Sequence, residues 1–131
     1  MFVVHSPMEE MFSKKAMIIS TTAGAGTGAA IKTVETSMKF WGVNRVRKLG
    51  FAIWSADIDS MKPARKSRFM ARLSKSAAKF YREAASGKKR RPYFITWFMF
   101  HVARRMISSD RSDTADAKYW REKGWFERTP F

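Results

Sequence analysis

The sequence predicts an α/β fold built on one strand–helix–strand unit, and three observations carry that reading. A short apolar run, Lys15 to Thr21, is followed at once by a loop of small residues, Thr22-Ala23-Gly24-Ala25-Gly26. A helical pattern begins directly after the loop. A second short apolar run, Arg45 to Trp54, comes after the helix ends. The switch from short apolar runs to a spacing of three and four and back again marks strand, helix and strand. A crossover of about this length implies a parallel pair.

Each element has its own warrant. Residues 15–21 have a continuous apolar centre too short for a helix and are expected to be a strand buried on both faces. From Thr27 to Trp41, Ala30, Ile31, Val34, Met38 and Trp41 recur on one helical face. Gly42 is placed to end that helix as its C-terminal cap residue. Residues 45–54 read as the second strand, with Gly50 marking a close backbone approach. Asp57, Asp59 and Ser60 are helix-starting side chains, and Pro63 suits a first turn. Phe69, Met70, Leu73, Ala77, Phe80, Tyr81 and Ala84 form the expected buried stripe of a long helix that ends at Gly87. Its other faces carry Lys62, Arg65, Lys66, Arg68, Arg72, Lys75, Lys79 and Arg82. Lys88 to Pro92 is a basic linker. Residues 93–107 are an aromatic helix whose uncharged stretch is too short to span a bilayer. The tail from Asp116 to Phe131 reads as polar with embedded aromatics, and no internal repeat is visible.

Composition narrows the function. The chain has 131 residues, no cysteine and two histidines. Disulfides, thiolate metal sites and a cysteine nucleophile are excluded within it. His5 and His101 are far apart and make no ligand pattern; structural or surface roles are expected. No metal site is expected. The net charge of +15 is concentrated in residues 44–91, which carry 15 basic and three acidic side chains. Such a segment suits a phosphate-bearing ligand, a nucleic acid or an anionic membrane surface, or it is simply a solvated helix face. With neither cysteine nor a secretory signal, the expected compartment is the cytoplasm.

The small-residue loop is neither a G-x-G-x-x-G fingerprint nor a phosphate-binding loop closed by Lys and Ser or Thr. It is a turn at the carboxyl end of a strand, where open α/β sheets bind their ligands. Met11-Phe12, Lys14-Lys15-Ala16, the run Ile18-Ile19-Ser20-Thr21-Thr22-Ala23-Gly24-Ala25-Gly26, Met38-Lys39-Phe40-Trp41-Gly42-Val43 and Leu49-Gly50-Phe51 together resemble a known family. They look like the carboxyl-terminal half of flavodoxin-like NAD(P)H-dependent FMN reductases and quinone reductases. Lys118-Tyr119-Trp120-Arg121-Glu122-Lys123-Gly124-Trp125 is similar to the end of one subgroup.

The resemblance implies a flavodoxin-like three-layer parallel sheet, of which this chain supplies the carboxyl-terminal βαβα portion plus a helical tail. Residues 1–91 would be the partial α/β domain, and 92–131 an aromatic helix and tail packing on it or on a partner. It further implies FMN as cofactor and NAD(P)H as co-substrate, with Thr21, Thr22, Ala23 and Gly24 lining the flavin ring. The flavin would do the chemistry, so no catalytic side chain is expected. The family's first three strands and phosphate loop have no counterpart here. The isolated chain is accordingly expected to bind FMN weakly, and to work as a homo-oligomer or with a chain that supplies the missing strands. The competing reading is a basic nucleic-acid-binding or protein-interaction module without catalysis.

Overall fold

The computed structural model describes residues 4–55, 57–88, 91–109 and 114–131. After a 3₁₀ turn at Glu9–Ser13 come strand β1 (Lys15–Thr22), helix α1 (Thr27–Phe40), strand β2 (Arg45–Ala52) and helices α2 (Pro63–Ala85), α3 (Phe94–Ser109) and α4 (Ala115–Glu122). β1 and β2 form a two-stranded parallel sheet with α1 as the crossover. The strand–helix–strand unit is therefore where the sequence places it, and β2 stops two residues short of the expected end. Lys89 and Arg90 of the basic linker lie outside the described residues.

Two compact units share the chain. One comprises residues 16–36 and 46–88, the other residues 1–15, 37–45 and 89–131.

The first unit contains the sheet and α2. Leu49, Phe51, Met61 and Phe69 are its buried centre, with Met17, Ile53 and Leu73 packed against them. The Phe51 and Phe69 rings meet edge to face at 4.5 Å. Gly50 does mark a close approach: a Cβ there would stand 2.8 Å from Thr27 Oγ1. Three expectations are corrected here. β1 is not buried on both faces, since Ile18 is covered but Ile19 is 51% exposed. On α1 only Ile31 is buried, and Val34 is exposed. On α2 the buried stripe is narrower than expected. Phe69 is covered and Leu73 and Phe80 are half-buried, while Met70, Ala77, Tyr81 and Ala84 are exposed. One cause accounts for all three: two strands offer too narrow a surface to cover these apolar residues.

The start of α2 also differs. Its N-cap is Lys62, with no side-chain cap, and Pro63 opens the first turn. Asp57 instead caps the turn before the helix, accepting from the Ser60 N–H at 2.6 Å. Asp59 pairs with Lys66 at 2.8 Å. Proline at the first position needs no N–H partner, so the helix starts without either carboxylate.

The second unit is an aromatic cluster. Phe100, Trp120 and Trp125 are completely enclosed, with Phe12 and Ala103 beside them. Phe100 stacks on Trp120 at 4.7 Å, and Trp125 meets both edge-on. The aromatics embedded in the polar tail thus supply the core, packed with Phe100 of α3. Thr114 caps α4 by accepting from Ala117 N at 3.2 Å. Past α4, the chain turns at Gly124, and the Trp125 N–H returns to the Trp120 carbonyl at 3.0 Å. Residues 5–7 are strapped to α4. Asp116 accepts from Ser6 Oγ at 2.7 Å and contacts His5 Nδ1 at 2.9 Å. The Tyr119 hydroxyl donates to the Pro7 carbonyl, and Trp120 Nε1 to that of His5. Gly42 ends α1 as expected, with φ +93°, and a Cβ there would stand 2.7 Å from the Phe12 ring.

Candidate functional site

β1 and β2 run parallel, so their carboxyl ends share one edge of the sheet. The last connection across that edge is the Ile53 N–H donating to the Thr22 carbonyl at 2.8 Å. Beyond it the strands part. β1 enters the small-residue loop, and β2 leads through Ile53 into Trp54.

The loop is shaped by one threonine. Thr22 Oγ1 donates to the Ala25 carbonyl at 2.9 Å and accepts from the Gly24 N–H at 3.3 Å. A hydroxyl that closes both ends of a three-residue turn holds the backbone in one conformation without adding bulk. Thr21 and Ala23 are exposed, and Thr22 and Gly24 are half-buried. The four residues singled out from the sequence do form one continuous small-residue surface.

The sequence reading missed the partner of that surface. Trp54, expected to close the second strand, lies outside it with φ +51°, the sole non-glycine residue in the left-handed region among those described. A left-handed backbone is uncommon for a bulky side chain and tends to mark sites where strain serves a purpose. The indole is 66% exposed. It stands beside Gly24: a Cβ on Gly24 would lie 3.8 Å from Trp54 Cζ3 and meet nothing else but the same ring within 4 Å. The indole therefore covers the face of Gly24 from which a side chain would project, and loop and exposed ring together form one shelf. Nothing in the composition singles out Trp54 among five tryptophans. Its one signal is its position, a large aromatic residue directly after a strand and before Ser55.

The segment that follows is held by local polar contacts. Ser55 and Ser60 hydroxyls are 2.6 Å apart. The Asp57 carboxyl is kept below the ordinary aspartate value, chiefly by the Ser60 N–H and then by the Ser60 hydroxyl.

A second concave feature opens at the same end of β2. Phe51, Ala52, Ile53, Met61 and Phe69 form its floor, and Arg65, Arg68 and Arg72 form its wall, enclosing about 150 Å³. The Arg72 guanidinium lies over the Phe51 ring at 5.2 Å. The expected excess of positive charge is thus partly gathered into a groove.

The two histidines belong to the other unit. His5 faces Asp116. His101 packs against Trp97 at 4.5 Å, and burial, with Arg104 nearby, pushes its pKa down.

No protein-family model, curated protein or solved structure matches this chain. The site therefore rests on its own geometry. A flavin's tricyclic ring is flat, and it needs backbone that it can approach closely and an apolar face beside it. The exposed Thr21 and Ala23 of the small-residue loop and the exposed Trp54 indole fit that part of the cofactor.

Proposed function

We propose that the chain is a flavoprotein oxidoreductase of the NAD(P)H-dependent FMN reductase and quinone reductase type, flavodoxin-like in fold and active in the cytoplasm. FMN is its cofactor, and a nicotinamide nucleotide its reductant. The observation that supports this best is the small-residue loop at the carboxyl end of β1, with the exposed, left-handed Trp54 ring lying against Gly24.

When bound, FMN supplies hydride transfer between nicotinamide and an acceptor. The chain's own part is to bind and orient. Thr21, Thr22, Ala23 and Gly24 line the ring, and their small side chains keep its other face open for the nicotinamide. Thr22 holds the loop rigid, so its backbone dipoles need no rearrangement as charge develops. Trp54 shields the ring edge from water. No side chain of this site is needed as a proton donor.

Millimolar FMN tests the placement by amide chemical shifts. The expected result is perturbation of Thr21–Gly24 amides and the Trp54 indole N–H, abolished by Gly24→Phe. Shifts confined to other residues, no shifts at all, or shifts that survive Gly24→Phe overturn it.

The reading includes a homo-oligomer or a partner chain that completes the sheet. On α3, Phe94, Ile95, Trp97 and Phe98 are exposed, and Phe94 rings against Trp97 and Phe98 at 6.1 Å. An apolar patch of this kind is rarely left in water. Replacing Trp97 and Phe98 by Ser should shift the sedimentation coefficient towards monomer; a chain already monomeric at tens of micromolar refutes the self-association.

The second reading is a basic nucleic-acid-binding or protein-interaction module. It is favoured by one feature of α2: Arg65, Arg68, Arg72, Lys75, Lys79 and Arg82 recur every three or four residues along a single exposed face. Binding to an oligonucleotide with a steep salt dependence, together with no response to FMN, would establish this reading over the first.

A further inference from the structure

The basic stripe of α2 is not uniform along its length. Its first three members, Arg65, Arg68 and Arg72, are all arginines at positions i, i+3 and i+7, so they lie on one face of the helix. They wall the groove of about 150 Å³ whose floor is Phe51, Ile53, Met61 and Phe69. Its next members, Lys75 and Lys79, are outside the groove. The two halves of the stripe therefore differ in chemistry and in shape. One is planar, forked donors over an apolar concavity, and the other is flexible point charges on an open surface.

None of the three arginines makes an ion pair among the described residues, whereas Arg47 is bound to Glu83 and Lys48 to Glu35 in the same unit. The acidic residue closest in sequence, Asp59, is already taken by Lys66. Arg72 is further steadied by its position over the Phe51 ring. Three uncommitted forks over a hydrophobic floor match a ligand with two parts: a cluster of phosphate oxygens and an adjoining apolar ring. A single inorganic ion would use the forks and leave the floor bare. A long polyanion would use the whole stripe and have no need of the groove.

We infer that the Arg65–Arg68–Arg72 groove is a binding site for the phosphates of a small nucleotide, with its base or sugar against Phe51, Ile53 and Met61. The groove and the Gly24–Trp54 shelf both start from the carboxyl end of β2, through Ile53 and Trp54. On the proposed flavin reading, the nucleotide is the phosphate-bearing part of the NAD(P)H reductant. The groove itself does not depend on that reading, and its test needs no flavin.

The experiment is calorimetric titration of the full chain with ADP, and with adenosine as the ligand lacking phosphate. Two doubly substituted variants lose the same charge. Arg68→Gln with Arg72→Gln empties the groove wall; Lys75→Gln with Lys79→Gln removes charge from the open half of the stripe. All four side chains are exposed, and circular dichroism reports whether each variant keeps its helix content. The expected result is that ADP binds and adenosine does not, that the arginine variant loses about tenfold or more in affinity, and that the lysine variant loses no more than about threefold. Equal losses in the two variants would make the stripe a track for extended polyanions and overturn the groove. So would equal binding of adenosine and ADP, or no ADP binding in the millimolar range. FMN shifts at Gly24 absent while ADP binding is intact would refute the flavin reading and leave the groove standing. The reverse pattern would refute the groove alone.

Discussion

The two units of this chain both leave large apolar residues exposed, Phe94 and Trp97 in one and Trp54 and Tyr81 in the other, but they cover their central residues to different degrees. In the aromatic unit, Phe100, Trp120 and Trp125 have no exposed surface, and three or more rings meet at every position. In the sheet unit, no buried side chain among the described residues is covered so completely, and Ile19, Trp54, Met70 and Tyr81 face solvent. The lesson is a division of labour. Dense aromatic packing fills the centre of one unit, with a concavity of about 450 Å³ beside it among Val4, Met99, Val102, Ala103 and Ile107. A narrow sheet leaves the other with strand ends that carry an exposed loop and indole, and with uncommitted arginines, the features a binding site needs.

The largest expected effect tests the packed side of that contrast. Trp120→Ala should cost about 3–5 kcal/mol of stability, the range for emptying a fully buried aromatic site. Tyr81→Ala, on the exposed flank of α2, should stay within about 0.5 kcal/mol. Urea unfolding measures both. A loss below about 1 kcal/mol for Trp120→Ala would show that the aromatic unit can collapse around the gap and is no more tightly built than the other.

The next effect compares two left-handed glycines. Gly42 sits at φ +93° under the Phe12 ring, and Gly26 sits at φ +100° with nothing within 4 Å of an added Cβ. Gly26→Ala should cost only the backbone preference, about 1–2 kcal/mol. Gly42→Ala adds a clash at 2.7 Å with a ring inside the aromatic core and should cost clearly more. Equal costs in thermal melts would mean that Phe12 yields, and that the core has slack.

The smallest effect concerns pH. Hydrogen bonds from Ser6 and then His5 hold the Asp116 carboxyl below its ordinary value of 3.8. A depressed carboxyl stabilises the folded state above the ordinary value, and that contribution disappears as pH falls from there through the lowered one. The aromatic unit should therefore loosen at its N-terminal strap in acid. Asp116→Asn should flatten that part of the pH profile. An unchanged profile would show that Tyr119 and Trp120 hold residues 5–7 without help from the charge.

Much of this protein was legible in its residues alone. The alternation of short apolar runs with helical spacing located β1, α1 and β2 to within two residues, because periodicity is a local property of the chain. The Thr21–Gly24 loop was legible for the same reason: small residues directly after a strand can only make a tight turn. Gly42 and Gly50 likewise announced a helix C-cap and a close approach that the tertiary structure supplies. The identity of the core was not legible. Trp120 and Trp125 sit in a stretch rich in charge, and only the return of residues 4–12 and α3 around them makes that stretch an interior. Trp54 and the arginine groove were hidden in the same way. A positive φ after a strand and three arginines over Phe51 depend on how distant residues meet, and spacing along a chain carries no record of what stands across from it. Sequence determined the elements and their faces. Tertiary structure decided which faces are covered, because burial is a property of pairs of surfaces, and two strands provide too little surface to cover them all.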